Sequence, residues 1–153
     1  MVDLEAQQLQ ASVQAFVRTF GLLVTKQTPC GQPVSPSYAH ALMLLLERES
    51  SGRTTSQSEL AAQLGLDKSS ITRLCARLEA DQRVTQQSPE SDRRSRLLEL
   101  TTRGRKLATQ VQSTSRERFR RVLEAVPPKK RRGLLASLSV LTDAVATLKG
   151  GDS

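Results

Sequence analysis

Aromatic residues make up 3% of this 153-residue chain, with no tryptophan, one tyrosine and three phenylalanines. A core must therefore be built from Leu, Val and Ala, and so lean an interior gains from a partner subunit that helps bury surface. Two cysteines, Cys30 and Cys75, are too few and too far apart for a disulfide framework. There is one histidine, His40, no Cys-x-x-Cys, no metal-spaced cluster and no phosphate-binding glycine loop. No catalytic centre, metal or cofactor is expected from such a set. The longest apolar run, Ala41 to Leu46, falls far short of the ~20 residues of a membrane-spanning helix. The first residues, with Asp3 and Glu5, lack the apolar segment of a signal peptide. A cytoplasmic protein with no membrane partner is the simplest expectation.

Positive charge, by contrast, is in excess. Lys and Arg number 23 against 15 Asp and Glu, giving a formal net charge of +8, and a polyanion is the natural partner. Eleven of the basic residues fall between Arg103 and Arg132, where the acids are Glu117 and Glu124, so this fifth of the chain carries more than the whole net charge. Its start, near Arg103, reads as a contact to DNA backbone. For Arg116 to Arg121 and Lys129 to Arg132 a solvated helix face is the favoured reading.

The stretch around which the chain is organised is Ser56 to Leu78. Ser56 and Glu59 have the spacing of a capping box, so a helix starts near Gln57. Leu60, Ala61 and Leu64 come next at helical spacing, and Gly65 stands where a left-handed residue closes the helix. Asp67 caps a second helix, in which Ile71, Leu74, Cys75 and Leu78 form one narrow apolar stripe. Ser69, Arg73 and Ala76 lie opposite, flanked by Thr72 and Arg77. Small, hydroxylic and guanidinium side chains suit a helix in the DNA major groove. On this stretch alone, an ordinary solvated amphipathic helix fits equally well.

The residues from Val84 onward separate the two readings. Val84, a polar loop with Pro89, and then Arg96 to Leu100 with Leu98 and Leu100 on one face read as two strands of a wing. Asp92, Arg93 and Arg94, ahead of a hydrophobic strand and of Leu100, Thr101 and Gly104, complete a pattern of fixed residues at a fixed distance from the helix. From about Ser35 to Leu107 the chain resembles the multiple-antibiotic-resistance regulator (MarR) family of winged helix-turn-helix transcription factors. It departs from the family in two places: Ala80-Asp81-Gln82-Arg83 has no Gly where the recognition helix ends, and Gln86 replaces a basic residue common early in the wing.

The resemblance implies a mainly α, winged helix-turn-helix fold, α+β with about six helices and a two- to three-stranded wing sheet, acting as a dimer. Residues 1–153 would form a single MarR-like domain: 1–34 and 127–149 for dimerisation, 35–100 for DNA binding and 101–126 as a long connecting helix. DNA contacts would come from Ser56, Lys68, Ser69, Ser70, Thr72, Arg73, Arg77, Asp92, Arg93, Arg94 and Arg96. In the family, the arginine matching Arg94 enters the minor groove, where a narrow A·T-rich tract concentrates negative potential. The acid matching Asp92 holds the wing; here it is expected to pair with Arg73 or Arg77 or to cap the loop.

The rest of the chain fits this layout. Leu9, Val13, Phe16, Val17 and Phe20 mark a first helix over Leu4 to Val24, about five turns long. Thr28 to Pro36, with three prolines and a glycine, is a connector. Pro36 opens a second, central helix whose apolar face is Tyr38, Ala41, Leu42, Leu45 and Leu46, and Arg53 to Thr55 is placed to add a short edge strand. A long helix begins near Thr102 and ends at Pro127-Pro128. The last helix, Lys129 to Leu148, carries a coiled-coil-like seam of Leu134, Leu138, Leu141, Val145 and Leu148, which with Leu9 and Phe16 would form the dimer interface. Gly150 to Ser153 is expected to fray.

Function then reads as a sequence-specific regulator, a repressor that binds a palindromic operator as a dimer and is released by an effector. Phe16, Phe20, Cys30 and His40 are candidates for an effector site between the first two helices, with His40 as a core-edge residue the favoured alternative. Two other readings stay open: a protein that coats nucleic acid without sequence preference, and a regulator sensing oxidants or metal through Cys30. Cys75, inside the apolar stripe, is expected to be packing alone.

Overall fold

The computed structural model describes residues 1–24, 26–29, 31–88 and 96–151. Cys30 and the wing tip, including Asp92, Arg93 and Arg94, lie outside the described residues. The chain divides into two compact units, Met1–Thr114 and Ser115–Ser153.

In the first unit, α1 (Val2–Phe20) ends where Gly21 takes the left-handed conformation at φ 91°. The helix is therefore shorter at its C-terminus than the Leu4 to Val24 expected from periodicity: apolar Leu22, Leu23 and Val24 extend the pattern past the stop that Gly21 makes. No residue of α1 is buried, and Phe16 stacks on Phe20 with ring centroids 5.2 Å apart. The central α2 (Pro36–Ser50) starts as expected, with Pro36 in its first turn and the Ser35 side chain accepting from the Tyr38 amide. Its Tyr38, Ala41, Leu42 and Leu45 are buried.

Around α2 are arranged β1 (Thr55–Ser56), α3 (Gln57–Leu64), α4 (Lys68–Ala80), β2 (Val84–Gln87), β3 (Leu97–Leu100) and the first part of α5 (Thr102–Ala125). The strands form one antiparallel sheet in the order β1-β3-β2, with Thr55 opposite Leu98 and Val84 opposite Leu100. The fold is thus a winged helix-turn-helix, with the short edge strand present as Thr55–Ser56. Its core joins the α2 face to Leu60 of α3, to Ile71, Cys75 and Leu78 of α4, and to Val84, Leu98, Leu100 and Ala108. The apolar stripe of α4 is thereby the side that anchors it.

The second unit holds the remainder of α5 and α6 (Pro128–Gly151). Helix runs through Gly150 and Gly151, beyond the fraying expected there. No residue of α6 is buried; Leu134, Leu138, Val145 and Leu148 are exposed and Leu141 is half-buried. By length and composition α6 is apolar enough to cross a membrane, a criterion that a helix packed on a protein partner meets equally.

Candidate nucleic-acid interface

The two helices of the turn are each fixed by their own caps. Ser56 Oγ accepts from the Glu59 amide at 3.1 Å and Glu59 Oε2 accepts from the Ser56 amide at 2.8 Å, which completes the capping box. The Ser56 amide holds the Glu59 carboxyl below its usual pKa, helped by the nearby Arg48. Arg48 donates to Thr55 Oγ1, the Thr54 carbonyl and Glu59, tying α2 to the start of α3. Gly65 closes α3 at φ 65°. Asp67 Oδ1 then accepts from the Ser70 amide at 2.7 Å and from Ser69 Oγ at 3.2 Å, and these bonds, the Ser70 amide first, lower its pKa.

With Ile71, Cys75 and Leu78 buried, α4 turns Lys68, Ser69, Thr72, Arg73, Ala76 and Arg77 to solvent, while Ser70 is half-buried. Arg73 has no hydrogen bond or ion pair among the described residues. Thr72 Oγ1 donates to the Lys68 carbonyl and accepts from the Gln57 side chain, and the Gln57 amide donates to the Arg96 carbonyl. One residue of α3 is thus bonded both to α4 and to the foot of the wing. Arg96 is exposed. Gln86 donates to Glu79 of α4 at 3.2 Å and is half-buried.

The exit of α4 explains the motif on the far side of the wing. Gln82 adopts φ 57°, the left-handed conformation that favours glycine, and this costs a non-glycine residue about 1–2 kcal/mol. Thr101 compensates: its hydroxyl donates to the Gln82 carbonyl at 2.7 Å and accepts from the Gly104 amide at 2.9 Å, and its own amide donates to the Arg83 carbonyl. Gly104 lies so near that carbonyl that a Cβ would stand 1.8 Å from the oxygen. Thr and Gly in this pattern are therefore the residues that let α5 start against the exit loop.

Tyr38 secures the same corner from α2. Its hydroxyl donates to Asp81 Oδ2 at 2.9 Å, Arg77 lies 6.0 Å over its ring, and Arg77 Nε is 3.9 Å from Asp81. Burial, then the Asp81 carboxylate, pushes the Tyr38 pKa up to about 12. Sequence reasoning placed Tyr38 in the core and missed this role, as it missed Gln57 and Arg48; partners 43 residues apart leave no local signal.

The basic start of α5 is mostly turned to protein. Arg103 donates to Gln82 Oε1 at 2.6 Å and Arg105 pairs with Glu49 at 2.5 Å, while Lys106 is exposed. In the second unit Glu117 takes Arg120 and Arg121, and Glu124 takes Arg120, on an exposed face. Arg120 first and Arg121 second draw the Glu117 carboxyl down to about 2. That is the solvated ladder expected for this segment. Of the effector candidates, Phe16 and His40 are exposed and Phe20 is half-buried. Two cavities, of about 350 Å³ between α2 and the sheet and about 410 Å³ at the α4 exit, are lined by other residues.

Residues 32–95 match the sequence profile of the MarR family. Over these residues the winged helix is similar to the MarR family. An uncharacterized HTH-type transcriptional regulator of Bacillus subtilis, YfiV, is 29% identical over 96 residues, which are 63% of this chain. The chain spans 60% of the length of that curated relative. Among solved structures, a probable transcriptional regulator from Pseudomonas aeruginosa superposes with a TM-score of 0.68 at 22% identity, covering 90% of this chain and 98% of that one. MepR of S. aureus in its complex with DNA gives 0.65 at 16% identity with 94% of each chain covered. The heme sensor PefR of Streptococcus agalactiae, solved with heme, gives 0.55 at 17% identity, covering 94% and 90%. The present chain shares the fold of these solved proteins.

Proposed function

We propose that this MarR-family chain is a sequence-specific, double-stranded DNA-binding transcriptional regulator, acting as a homodimer on a palindromic operator. The observation that carries the reading is α4: its apolar side is locked into the core while Lys68, Arg73 and Arg77 stand exposed beside small side chains. A net charge of +8 supports it, as does the likeness in fold to MepR, which has been solved with DNA. Ser56, Lys68, Ser69, Ser70, Thr72, Arg73, Arg77 and Arg96 are the described residues assigned to DNA; Asp92, Arg93 and Arg94 join them from sequence.

The dimer rests on the exposed apolar faces of α1 and α6, from Leu9 and Phe16 to Leu134, Leu138 and Leu148, which are too apolar to stay in water alone. A two-fold axis then sets half-sites about one helical turn, or roughly 10 base pairs, apart. Repression relieved by an effector completes the proposal, with Phe16, Phe20, Cys30 and His40 as the place where a small molecule or an oxidant acts. Selection from a random DNA pool tests the core of it. A regulator enriches one inverted repeat and prefers it over bulk DNA by about 10³-fold or more, whereas a protein that coats nucleic acid enriches nothing. A stable monomer in sedimentation at micromolar concentration would refute the dimer.

A further inference from the structure

The outer face of α4 has fewer hydrogen-bond donors than its sequence suggests. A hydroxyl has one proton to give. That of Thr72 goes to the Lys68 carbonyl at 2.7 Å, and its oxygen also accepts from Gln57 Nε2 at 3.2 Å. That of Ser69 goes to Asp67 Oδ1 at 3.2 Å. Asp67 is held in its charged form by the same cap, so it remains an acceptor. Both hydroxyls are therefore bound within the protein. Thr72 is branched at Cβ and stiff at χ1, so turning its hydroxyl outward breaks two bonds at once. What it offers outward is its methyl.

Ala76 comes next at i+4 and has only a methyl to offer. At about 100° per residue, Thr72 and Ala76 form one strip along α4, with Arg73 and Arg77 forming the next. All four residues are exposed. A pair of methyl groups at this spacing matches the one apolar mark in the major groove, the C5 methyl of thymine, for which Thr and Ala methyls are suited contacts.

We infer that Thr72 and Ala76 read thymine methyl groups at neighbouring positions of the operator, leaving hydrogen-bond readout on this face to Arg73. The inference rests on the DNA-binding reading above. Gln57, by holding the Thr72 hydroxyl, is a positioning residue for this contact.

The test replaces each thymine of the selected operator in turn by deoxyuridine, which removes the methyl and leaves every hydrogen-bonding edge intact. Wild type is expected to lose about fourfold in affinity at one or two positions per half-site, the ~0.8 kcal/mol of one buried methyl-sized group. Thr72→Ser keeps every hydrogen bond and drops the methyl; it should bind the thymine operator about fourfold more weakly and become indifferent to deoxyuridine at one of those positions. Thr72→Val keeps the methyl and should retain the wild-type ratio of thymine to deoxyuridine binding. If wild type is insensitive at every position, or if Thr72→Ser keeps the full wild-type ratios, methyl readout by Thr72 is wrong while DNA binding stands. If no site is enriched at all, the DNA-binding reading fails and takes this inference with it.

Discussion

Gly104→Ala places one methyl group at the tightest junction of the fold. Its Cβ would meet the Arg83 carbonyl oxygen at 1.8 Å and the carbonyl carbon at 2.8 Å. The obstacle is backbone, so no rotamer change relieves it. That carbonyl is also the acceptor for the Thr101 amide at 3.0 Å, and moving it disturbs that bond. Overpacking costs about 1–3 kcal/mol, and a weakened hydrogen bond about 1 kcal/mol. Ala is the better helix former by about 1 kcal/mol, which offsets part of the loss. The net expectation is ~1–3 kcal/mol of destabilisation, read as a urea midpoint lower by roughly 0.5–1.5 M at an m-value of about 2 kcal/mol/M. The comparison is Gly133→Ala in α6, where a Cβ meets nothing within 4 Å. There the same substitution should raise stability by about 0.5–1 kcal/mol. Both are measured at one protein concentration, so that any self-association weighs equally on the two. A wild-type midpoint for Gly104→Ala, or an equal loss for Gly133→Ala, would refute the account of this corner.

The single tyrosine makes absorbance at 295 nm a direct titration of Tyr38. Its pKa, raised to about 12 when folded against an ordinary value of 10.0, contributes stability that is complete below pH 10 and lost as pH rises toward 12; Asp81→Asn should lower the midpoint, and a native midpoint at 10 would refute both the burial of the hydroxyl and its Asp81 bond. Arg73→Ala should cost about 1–3 kcal/mol at particular base pairs, while Arg94→Ala should weaken all sites and shallow the salt dependence by about one unit; wild-type binding by both would mean a different docking. Cys75 is fully buried, with burial first and Glu79 second raising its pKa to about 11. In Cys30→Ser no thiol should react with an aromatic disulfide reagent until denaturant is added, and prompt labelling would contradict the packing of α4.

What the sequence made legible is what is encoded within a few residues. The capping box at Ser56, the stop at Gly65, the cap at Asp67 and the apolar stripe of α4 all depend on neighbours at i+3 or i+4, and all stand in the structure as read. The wing strands were legible because Leu98 and Leu100, with Glu99 between them, share one face after a polar loop. The exit of α4 was not: Gln82 carries no signal of a left-handed residue, and it is held there by Thr101, 19 residues on. Nor was the role of Gln57, whose partners Thr72 and Arg96 come together only when helix and wing are assembled. The end of α1 was misplaced because apolar periodicity runs on beyond Gly21, and hydrophobic pattern outweighed a single stop residue.

The self-contained caps of α3 and α4 bear on the order in which the chain folds. Each helix of the turn is closed by a residue three or four positions away, whereas β1 finds β3 across 43 residues, Thr55 to Leu98. Local contacts form before loop closure over such a distance can be offset by the pairing it permits. The helix pair is thus expected in the folding transition state, with the wing added on the downhill side. Removing the Asp67 cap should chiefly slow folding, and truncating Leu98 should chiefly speed unfolding. On a nascent chain α4 would accordingly be organised before the strand that steadies its neighbour has been made.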